Sequence, residues 1–353
     1  MTSPADLDPT APDPTPIFDL YRGNYATEIL AAAVAHLRAF DLLAAGPLPP
    51  EEFRRGLGLA ERPATVLLTA LRAFGLVRRD GDGRAALTDL ARRYLVTGGP
   101  GDVGGYIGMM ADAPGVRAMV ACLRSNRPLN SGDDEAGAMF ITKEGVKSAM
   151  EAEASARAFT LALAGRARAV APVLAAAYPL ADARVLLDVA GGTGLYSIAW
   201  LRRHPDLRAI VWDRPEVLKV AVELAEAHGV ADRLEARPGD MFRDPVPEGA
   251  DAVLFSNVLH DWDVADCWTL VSRAAAAIRP GGRLLVHDVF LDDALDGPLP
   301  QALYSAALFT QTEGRLYSAA EVRTWLAAAG LVPGAVVPTL IHAGLLPAIK
   351  VTD

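Results

Sequence analysis

A glycine-rich segment that follows a short apolar run constrains the fold of this chain more than any other feature. The run Val185-Leu186-Leu187 leads into Asp188–Gly194, which reads DVAGGTG, and a helical stretch follows. Glycines at such a junction let the backbone turn sharply and approach a bound molecule closely. Asp213 ends the next apolar run, about 20 positions on, where an acid accepts hydrogen bonds from ribose hydroxyls. The segment therefore predicts a nucleoside-binding loop in an α/β sheet.

Further apolar runs alternate with helical stretches, as in a parallel sheet that helices cover on both faces. The runs are 209–212, 252–255 and 284–286. We expect a Rossmann-like sheet domain over 181–353. Gly192 and Gly194 match the dinucleotide fingerprint, but Ser197 stands where its third glycine would be, which disfavours NAD.

The N-terminal half has a different pattern. Residues 1–16 are rich in Pro and Asp and predict a mobile tail, and apolar spacing predicts one long helix over 17–43. Two helices, over 50–55 and 63–74, precede a hairpin around Asp80-Gly81-Asp82-Gly83, an order typical of a winged helix. We therefore predict a winged-helix domain over 17–100 and a helical connecting region over 101–180.

The bulk properties favour a soluble cytoplasmic protein with a small-molecule partner. The net charge of -9 argues against nucleic acid or an anionic membrane as a partner, and the second winged-helix helix has almost no side chains that read bases. Cys122 and Cys267 are expected to be core thiols. The alanine-rich stretch 167–177 is interrupted by Arg168 and Pro172 before it reaches membrane-spanning length.

Metal-ligand spacing is missing from the sequence, so we expect no metal. Asp261 and Asp263 are interpreted as capping and surface residues before a helix that begins near Ala265.

Five segments in order resemble the S-adenosylmethionine-dependent O-methyltransferases typified by caffeate and hydroxyneurosporene methyltransferases. They read DVAGGTG, DRPEV, PGDMF, VLHDW and RPGGRLL, and the resemblance covers nearly the whole chain. It implies a Rossmann-like class I methyltransferase domain preceded by a mostly helical winged-helix dimerisation domain. It also implies a homodimer that uses S-adenosylmethionine as its cofactor.

The resemblance assigns the cofactor contacts to particular residues. Glycines of the loop approach the methionine moiety, Asp213 binds the ribose hydroxyls, and Asp240 with Met241 holds the adenine, although a turn residue and a core residue are the alternatives for that pair. Ala190 replaces a family glycine and is expected to keep an ordinary backbone conformation. The full predicted set is Asp188, Gly191, Gly192, Gly194, Asp213, Arg214, Asp240, Met241, Phe242 and Ser256.

His260, in Leu259-His260-Asp261-Trp262, resembles the general base of the family, and Asp288 resembles the acid that orients it. A neutral hydroxyl attacks a methyl group poorly until its proton leaves, so a base is the main chemical requirement. Strand alternation places His287 on the face opposite Asp288, so we interpret His287 as structural. The second acidic position of the family falls on Leu316, three residues after Glu313.

The expected acceptor is a hydroxyl of a small aromatic or polyketide-like secondary metabolite. Two alternatives stay open: non-methylating chemistry in the same cleft (hydroxylation, decarboxylation or a pericyclic step), and a metabolite-binding winged-helix regulator. The sequence leaves open the identity of the acceptor and whether oxygen, nitrogen or carbon receives the methyl group. The residues predicted to line the acceptor pocket, each of which is equally a core candidate, are Phe159, Leu163, Met109, Met110, Trp262 and Phe309.

Overall fold

The long helix that the sequence predicts over 17–43 is divided in the computed structural model of the protein, which describes residues 7–129 and 153–351. The chain forms α1 (Thr15–Arg22), α2 (Asn24–Ala31), a π turn, and α3 (Ala39–Ala44). The single-helix prediction was therefore wrong. Arg38 has a left-handed φ of 53°, in which a helix cannot continue, and Gly23 separates α1 from α2.

The predicted order of helix, helix and hairpin is present. It consists of α4 (Pro50–Gly56), α5 (Glu61–Ala73) and the antiparallel strands β1 (Val77–Arg79) and β2 (Ala85–Leu87). Three further helices follow before residue 129, namely α6 (Asp89–Tyr94), α7 (Gly104–Gly108) and α8 (Pro114–Ser125).

The apolar runs after residue 184 form the predicted strands. The elements in chain order are α9 (Glu153–Ala177), β3 (Val185–Val189), α10 (Leu195–Arg203), β4 (Arg208–Asp213), α11 (Pro215–Ala227), β5 (Leu234–Pro238), β6 (Ala252–Ser256), α12 (Val264–Ala277), β7 (Arg283–Val289), α13 (Leu299–Gln311), α14 (Ala319–Ala328), β8 (Leu331–Pro333), β9 (Val337–Pro338) and β10 (Ala343–Lys350).

The sheet is mixed rather than wholly parallel. Its strand order is β5-β4-β3-β6-β7-β10-β8, with β9 also paired to β10. The first five strands of this order are parallel, as predicted, whereas β10 runs antiparallel to β7, β8 and β9. Because parallel strands end at one edge, the loops after β3, β4, β6 and β7 meet there.

The described residues form two compact units whose bounds differ from the predicted division at 100 and 180. The first unit contains the described residues of Met1–Phe18, Thr142–Phe290 and Ala319–Asp353. The second contains those of Asp19–Ile141 and Leu291–Ser318. Thus α9 belongs with the sheet, and α13 belongs with the N-terminal helices.

The first unit buries two segments that the sequence interprets differently. Leu7 is 8% exposed and lies in the core, so the described part of the predicted tail contacts the fold, while residues 1–6 lie outside the described residues. Helix α9 is apolar and long enough to cross a membrane over Ala154–Ala177, but 44% of that window is buried. It packs on α10 and α11, so its apolar residues have a role in the core.

In the second unit, Arg62 of α5 holds the loop that follows α13. Its Nη1 donates to the carbonyls of Thr312 (2.8 Å) and Gly314 (3.0 Å), and its Nε donates to Asn126 Oδ1 (2.9 Å). The guanidinium carbon also lies 4.6 Å from the centre of the Phe309 ring. One cation therefore satisfies carbonyls from two separate chain segments.

We expect Arg62→Ala to lower the free energy of unfolding by about 3 kcal/mol, because it leaves the loop carbonyls unpaired and removes a charge-assisted network. Arg62→Lys should recover less than half of this loss, since an ammonium cannot reproduce the planar fork. Urea unfolding of the full chain measures both effects. Arg55→Ala, which removes an exposed pair with Glu51 at 3.3 Å, is the control and should change stability by less than about 0.5 kcal/mol. An equal effect of Arg55→Ala and Arg62→Ala would contradict the role of Arg62.

Candidate active site

The glycine loop crosses directly over the Asp188 side chain. A Cβ added to Gly191 would lie 2.7 Å from the Asp188 carboxylate carbon, so only glycine fits there. Ser197, in the first turn of α10, donates its hydroxyl to Asp188 Oδ2 at 2.7 Å. The serine that replaces the third fingerprint glycine thus supports the loop from below.

Three residues of the loop adopt left-handed backbone conformations. The φ angles are 52° at Ala190, 59° at Gly192 and 67° at Gly194. Glycine takes this conformation freely, whereas a residue with a Cβ is strained in it by about 1–2 kcal/mol. The prediction of an ordinary backbone at Ala190 was therefore wrong, and the loop is strained at this position.

Asp188 is fully buried, and burial raises its pKa to about 7. The Ser197 hydroxyl opposes this pKa shift, and the charge of Asp213 adds to it. The second oxygen, Oδ1, is buried and has no hydrogen-bond partner among the described residues. The Asp188 carboxyl group therefore lies beneath the loop, and a positive charge nearby would favour its ionised form.

Asp213 ends β4 and binds the same loop from its other side. Its Oδ2 accepts the N–H of Gly192 at 2.8 Å, and its Oδ1 accepts the N–H of Arg214 at 2.7 Å. Burial raises the pKa of Asp213, while these two N–H donors oppose that shift. Because each carboxylate oxygen has two lone pairs, Asp213 can still accept from vicinal ribose hydroxyls.

The segment after β5 combines a turn with an apolar pocket. Asp240 Oδ1 accepts the N–H of Phe242 at 2.8 Å, so Asp240 has the turn role that the sequence left open as an alternative. Met241 lines a small apolar pocket together with Val189, Trp212 and Phe255. Its side chain therefore lies among apolar residues at the same edge of the sheet as the glycine loop.

A neutral polar network follows β6. The Ser256 hydroxyl and His287 Nδ1 are hydrogen-bonded at 2.8 Å, and His287 Nε2 and the Thr339 hydroxyl at 3.0 Å. Asn257 Nδ2 donates to Ser256 Oγ (3.1 Å) and to the Tyr196 hydroxyl (3.2 Å). Burial, with the charge of Arg166, lowers the pKa of His287 to about 3, against the opposing effect of Asp288. His287 is therefore a neutral structural residue, as predicted.

His260 and Asp288 meet at the same edge, as the sequence predicts. His260 lies on a short 3-10 turn, Leu259–Asp261, and its Nδ1 is 2.5 Å from Asp288 Oδ1. Asp288 Oδ1 also accepts the N–H of Val289 at 2.8 Å, which fixes the carboxylate. Asp288 holds the imidazole in one orientation, so its Nε2 is the nitrogen that can take a proton.

The residues around His260 differ from the prediction in one respect. Asp263 caps α12 by accepting the N–H of Asp266 at 3.0 Å, as expected. Asp261, predicted to be a capping or surface residue, instead lies 3.6 Å from His260 Nε2 through its Oδ1. Both residues belong to the 3-10 turn Leu259–Asp261, so Asp261 precedes the cap of α12 and is not part of it.

Two contacts hold this turn in place. The Cys267 thiol, which is buried as predicted, donates to the Leu259 carbonyl at 3.0 Å. Trp262 is buried and packs edge-on against Phe242, with ring centres 4.6 Å apart. Phe242, predicted to bind cofactor, and Trp262, predicted to bind acceptor, therefore contact each other.

The other residues predicted to line the acceptor pocket belong partly to the first unit and partly to the second. In the first unit, Phe159 is half-buried, and Leu163 is 54% exposed on α9. In the second unit, Met109 and Met110 are exposed near α7, whereas Phe309 is fully buried in the core, where a pocket wall was expected. Leu316 is also buried in the second unit.

Four site residues were missed by sequence reasoning: Ser197, Asn257, Asp261 and Thr339. Ser197 and Asn257 carried a usable signal, because a polar residue directly after a strand or in the first turn of a helix lies at the ligand edge. Thr339 carried none, since it is 52 residues from the histidine that it binds.

We expect Ala190→Gly to raise the free energy of unfolding by about 0.5–1 kcal/mol. The change releases about 1–2 kcal/mol of left-handed strain and adds about 0.4–1 kcal/mol of chain entropy to the unfolded state. Ala162→Gly, the same change on an exposed position of α9, is the matched control and should lower stability by about 1 kcal/mol. Chemical denaturation gives both values, and a loss of stability in Ala190→Gly would refute the strain at this position.

The buried carboxyl group of Asp188 predicts a pH dependence of stability. Its folded pKa of about 7 lies above its unfolded value of 3.8, so its contribution is fully present below pH 4 and is lost as the pH rises through 7. Asp188→Asn should therefore gain about 2–4 kcal/mol relative to the wild type between pH 4 and pH 8. Urea titrations across this range, with the exposed acid Asp206 changed to Asn as control, measure the gain. A difference that stays constant with pH would refute the shifted pKa.

Comparison with known proteins agrees with this geometry. Residues 135–332 match the model of an O-methyltransferase domain family. A 3-hydroxy-5-methyl-1-naphthoate 3-O-methyltransferase from Streptomyces sahachiroi is 36% identical over 324 residues, which cover 91% of this chain and 90% of that protein.

Two solved structures share the fold. An O-methyltransferase family 2 protein from Planctomyces limnophilus, in complex with apigenin, has 47% sequence identity and a TM-score of 0.88, and the match covers 99% of this chain and 100% of that one. Human N-acetylserotonin methyltransferase in complex with S-adenosylmethionine has 24% identity, a TM-score of 0.59 and a coverage of 98% and 100%, and it supports the fold alone. The family match and the full-length relatives decide the assignment: the chain belongs to the S-adenosylmethionine-dependent O-methyltransferases.

Proposed function

We propose that the protein methylates a hydroxyl of a small aromatic or polyketide-like secondary metabolite, with His260 as the general base. The His260–Asp288 pair at the ligand edge of the sheet is the observation that carries this proposal. The relatives support the acceptor class, because one is a hydroxynaphthoate methyltransferase and another binds apigenin, a flavone with phenolic hydroxyls.

The residues at the edge fit the cofactor. Gly191, Gly192 and Gly194 allow close approach of the backbone, Asp213 can accept from ribose hydroxyls, and the buried Asp188 oxygen without a partner favours a cation nearby. Met241 is proposed to contact the adenine, while Asp240, Phe242, Arg214 and Ser256 support these elements by hydrogen bonds or packing. When bound, S-adenosylmethionine supplies an electrophilic methyl group on a positively charged sulfur.

His260 has the properties that the reaction requires of a base. In this proposal His260 Nδ1–H donates a hydrogen bond to Asp288, so Nε2 carries the lone pair that removes the acceptor proton. An ordinary histidine and a phenol differ by about 3.5 pKa units, or roughly 5 kcal/mol, against complete proton transfer. Removal of the proton is therefore concerted with attack of the oxygen, and Asp288 stabilises the charge that His260 gains.

The second unit supports the proposed winged-helix dimerisation module. Most of α5 is buried, including Val66, Leu67 and Leu68, so few of its side chains are available for contact with DNA. Such a helix cannot read bases, so we propose no nucleic-acid partner. Leu20, Tyr21, Tyr106 and Met109 are large and exposed, which favours contact with a second copy. We further propose a cytoplasmic location without a membrane partner, since the one long apolar helix among the described residues packs on other helices.

One observation favours the alternative of non-methylating chemistry in the same fold. Leu316, a buried apolar residue, occupies the position of the family's second acid. Turnover of an acceptor without release of S-adenosylhomocysteine would support this alternative.

Two substitutions test the proposal. His260→Ala should lower the rate of S-adenosylhomocysteine release by about 10²–10⁴-fold with apigenin or a hydroxynaphthoate as acceptor, and it should leave cofactor affinity within about twofold. Asp213→Ala should weaken cofactor binding at least about tenfold, because it removes the proposed ribose contact. Calorimetry with S-adenosylmethionine measures the affinity.

The control for these measurements is His36→Ala, a histidine of the second unit whose Nε2 is 2.9 Å from the Ala111 carbonyl; it should keep both activity and affinity. An undiminished rate in His260→Ala would show that another group is the base.

A further inference from the structure

His260 lies between two carboxylates rather than beside one. Asp288 Oδ1 is 2.5 Å from its Nδ1, and Asp261 Oδ1 is 3.6 Å from its Nε2. The two acids come from different elements, Asp288 from β7 and Asp261 from the 3-10 turn that carries His260 itself. Each ring nitrogen therefore has its own anionic group.

We infer that Asp261 is the second carboxylate of the His260 centre and stabilises the proton that Nε2 gains from the acceptor. Asp261 acts through His260, so it is a positioning residue in this scheme. The inference rests on the proposed function, because it takes His260 as the base.

The proton balance explains the benefit of a second acid. The acceptor O–H bond breaks and an Nε2–H bond forms, so the imidazole becomes a cation while the oxygen gains the methyl group. A cation between two carboxylates is more stable than one beside a single carboxylate, because an opposite charge within about 4–6 Å favours the charged form of an ionisable group. At 3.6 Å, Asp261 Oδ1 is within this range, and a small movement brings it to hydrogen-bond distance of the new N–H.

The side chains of His260, Asp288 and Asp261 differ in their exposure to solvent. The His260 side chain is 5% exposed and that of Asp288 is 7% exposed, whereas that of Asp261 is 21% exposed. Asp261 is thus the member of the trio with the most contact with solvent. In the inferred scheme, Asp261 is therefore the side chain of the three through which the Nε2 proton would exchange with solvent.

The groups that act on Asp261 are identified within the described residues of the first unit. Burial raises the pKa of Asp261 to about 6; His260 opposes this shift, and the charge of Asp288 on β7 adds to it. From α12, the Cys267 thiol binds the Leu259 carbonyl, and Asp263 is engaged in capping the helix. Asp261 therefore carries its negative charge above about pH 6.

Asp261→Asn removes this charge with little change of shape, and Asp263→Asn is a matched control. Asp263→Asn removes the same charge two residues away, and asparagine is also a good N-cap for α12. We expect the midpoint of the His260 titration, followed by histidine ring NMR and assigned with His260→Ala, to fall by about one pH unit in Asp261→Asn. It should move by less than about 0.3 unit in Asp263→Asn.

The kinetic counterpart uses S-adenosylhomocysteine release with the acceptor that the wild type methylates. The acid limb of the kcat/KM profile should shift to lower pH in Asp261→Asn, and kcat on the plateau should fall about tenfold while cofactor affinity is unchanged. Asp261→Glu should restore part of the titration shift. A structural defect alone would lower kcat in Asp261→Asn without moving the midpoint, and that result overturns the inference.

The outcomes separate the two levels of the proposal. An active wild type whose His260 midpoint is the same in Asp261→Asn refutes the role of Asp261 and leaves the proposed function intact. Equal shifts in Asp261→Asn and Asp263→Asn also refute it, since the effect would then be a general one of net charge. A wild type that binds cofactor and releases no S-adenosylhomocysteine with any phenolic acceptor refutes the proposed function itself.

Discussion

The parallel pairing of β3, β6 and β7 is the constraint on which the site depends. Val189 pairs with Phe255, and Ser256 pairs with His287, so the three strands end at nearly the same level. The glycine loop after β3, the polar network after β6 and the acid at the end of β7 are therefore neighbours although about 100 residues separate them in sequence. A slip of one residue in β7 would exchange His287 and Asp288 between the faces and remove the acid from His260.

The buried polar groups at this edge compensate for lost hydration in different ways. His287 stays neutral between two hydroxyls, and Asp188 is bound by Ser197 with a pKa near 7. His260 is paired with Asp288. Since a charge buried without a partner is costly, the neutral forms at His287 and Asp188 favour the folded chain before any ligand binds.

The sequence predicted those parts of the site that depend on periodicity. Strand positions and the opposite faces of His287 and Asp288 follow from alternation. The pairing of His260 with Asp288 was predicted from the resemblance to the family, and both residues lie at the common edge of the parallel strands. Properties that depend on local backbone angles were not predictable. Ala190 and Arg38 both have left-handed backbone conformations, which alanine and arginine usually avoid. Neither the strained loop nor the division of the first helix could therefore be predicted. Asp261 was missed because a carboxylate before a helix is usually a cap. Only the structure shows that Asp263 caps α12 and that Asp261 lies beside His260.

Ionisation of Asp188 and Asp261, the two carboxylates with pKa values raised to about 7 and about 6, lowers stability but favours the proposed function. Burial raises both pKa values, to about 7 and about 6, so ionisation of either group destabilises the fold as the pH rises. Their negative charges are nevertheless the forms that would favour a sulfonium beside the loop and a proton on His260. A cation at each position relieves this cost, so ligand binding and proton transfer should be coupled to the ionisation of these groups. The edge of the sheet thus holds carboxylates that are costly in the empty protein and favourable during the reaction, as is expected where a site gives up stability for activity.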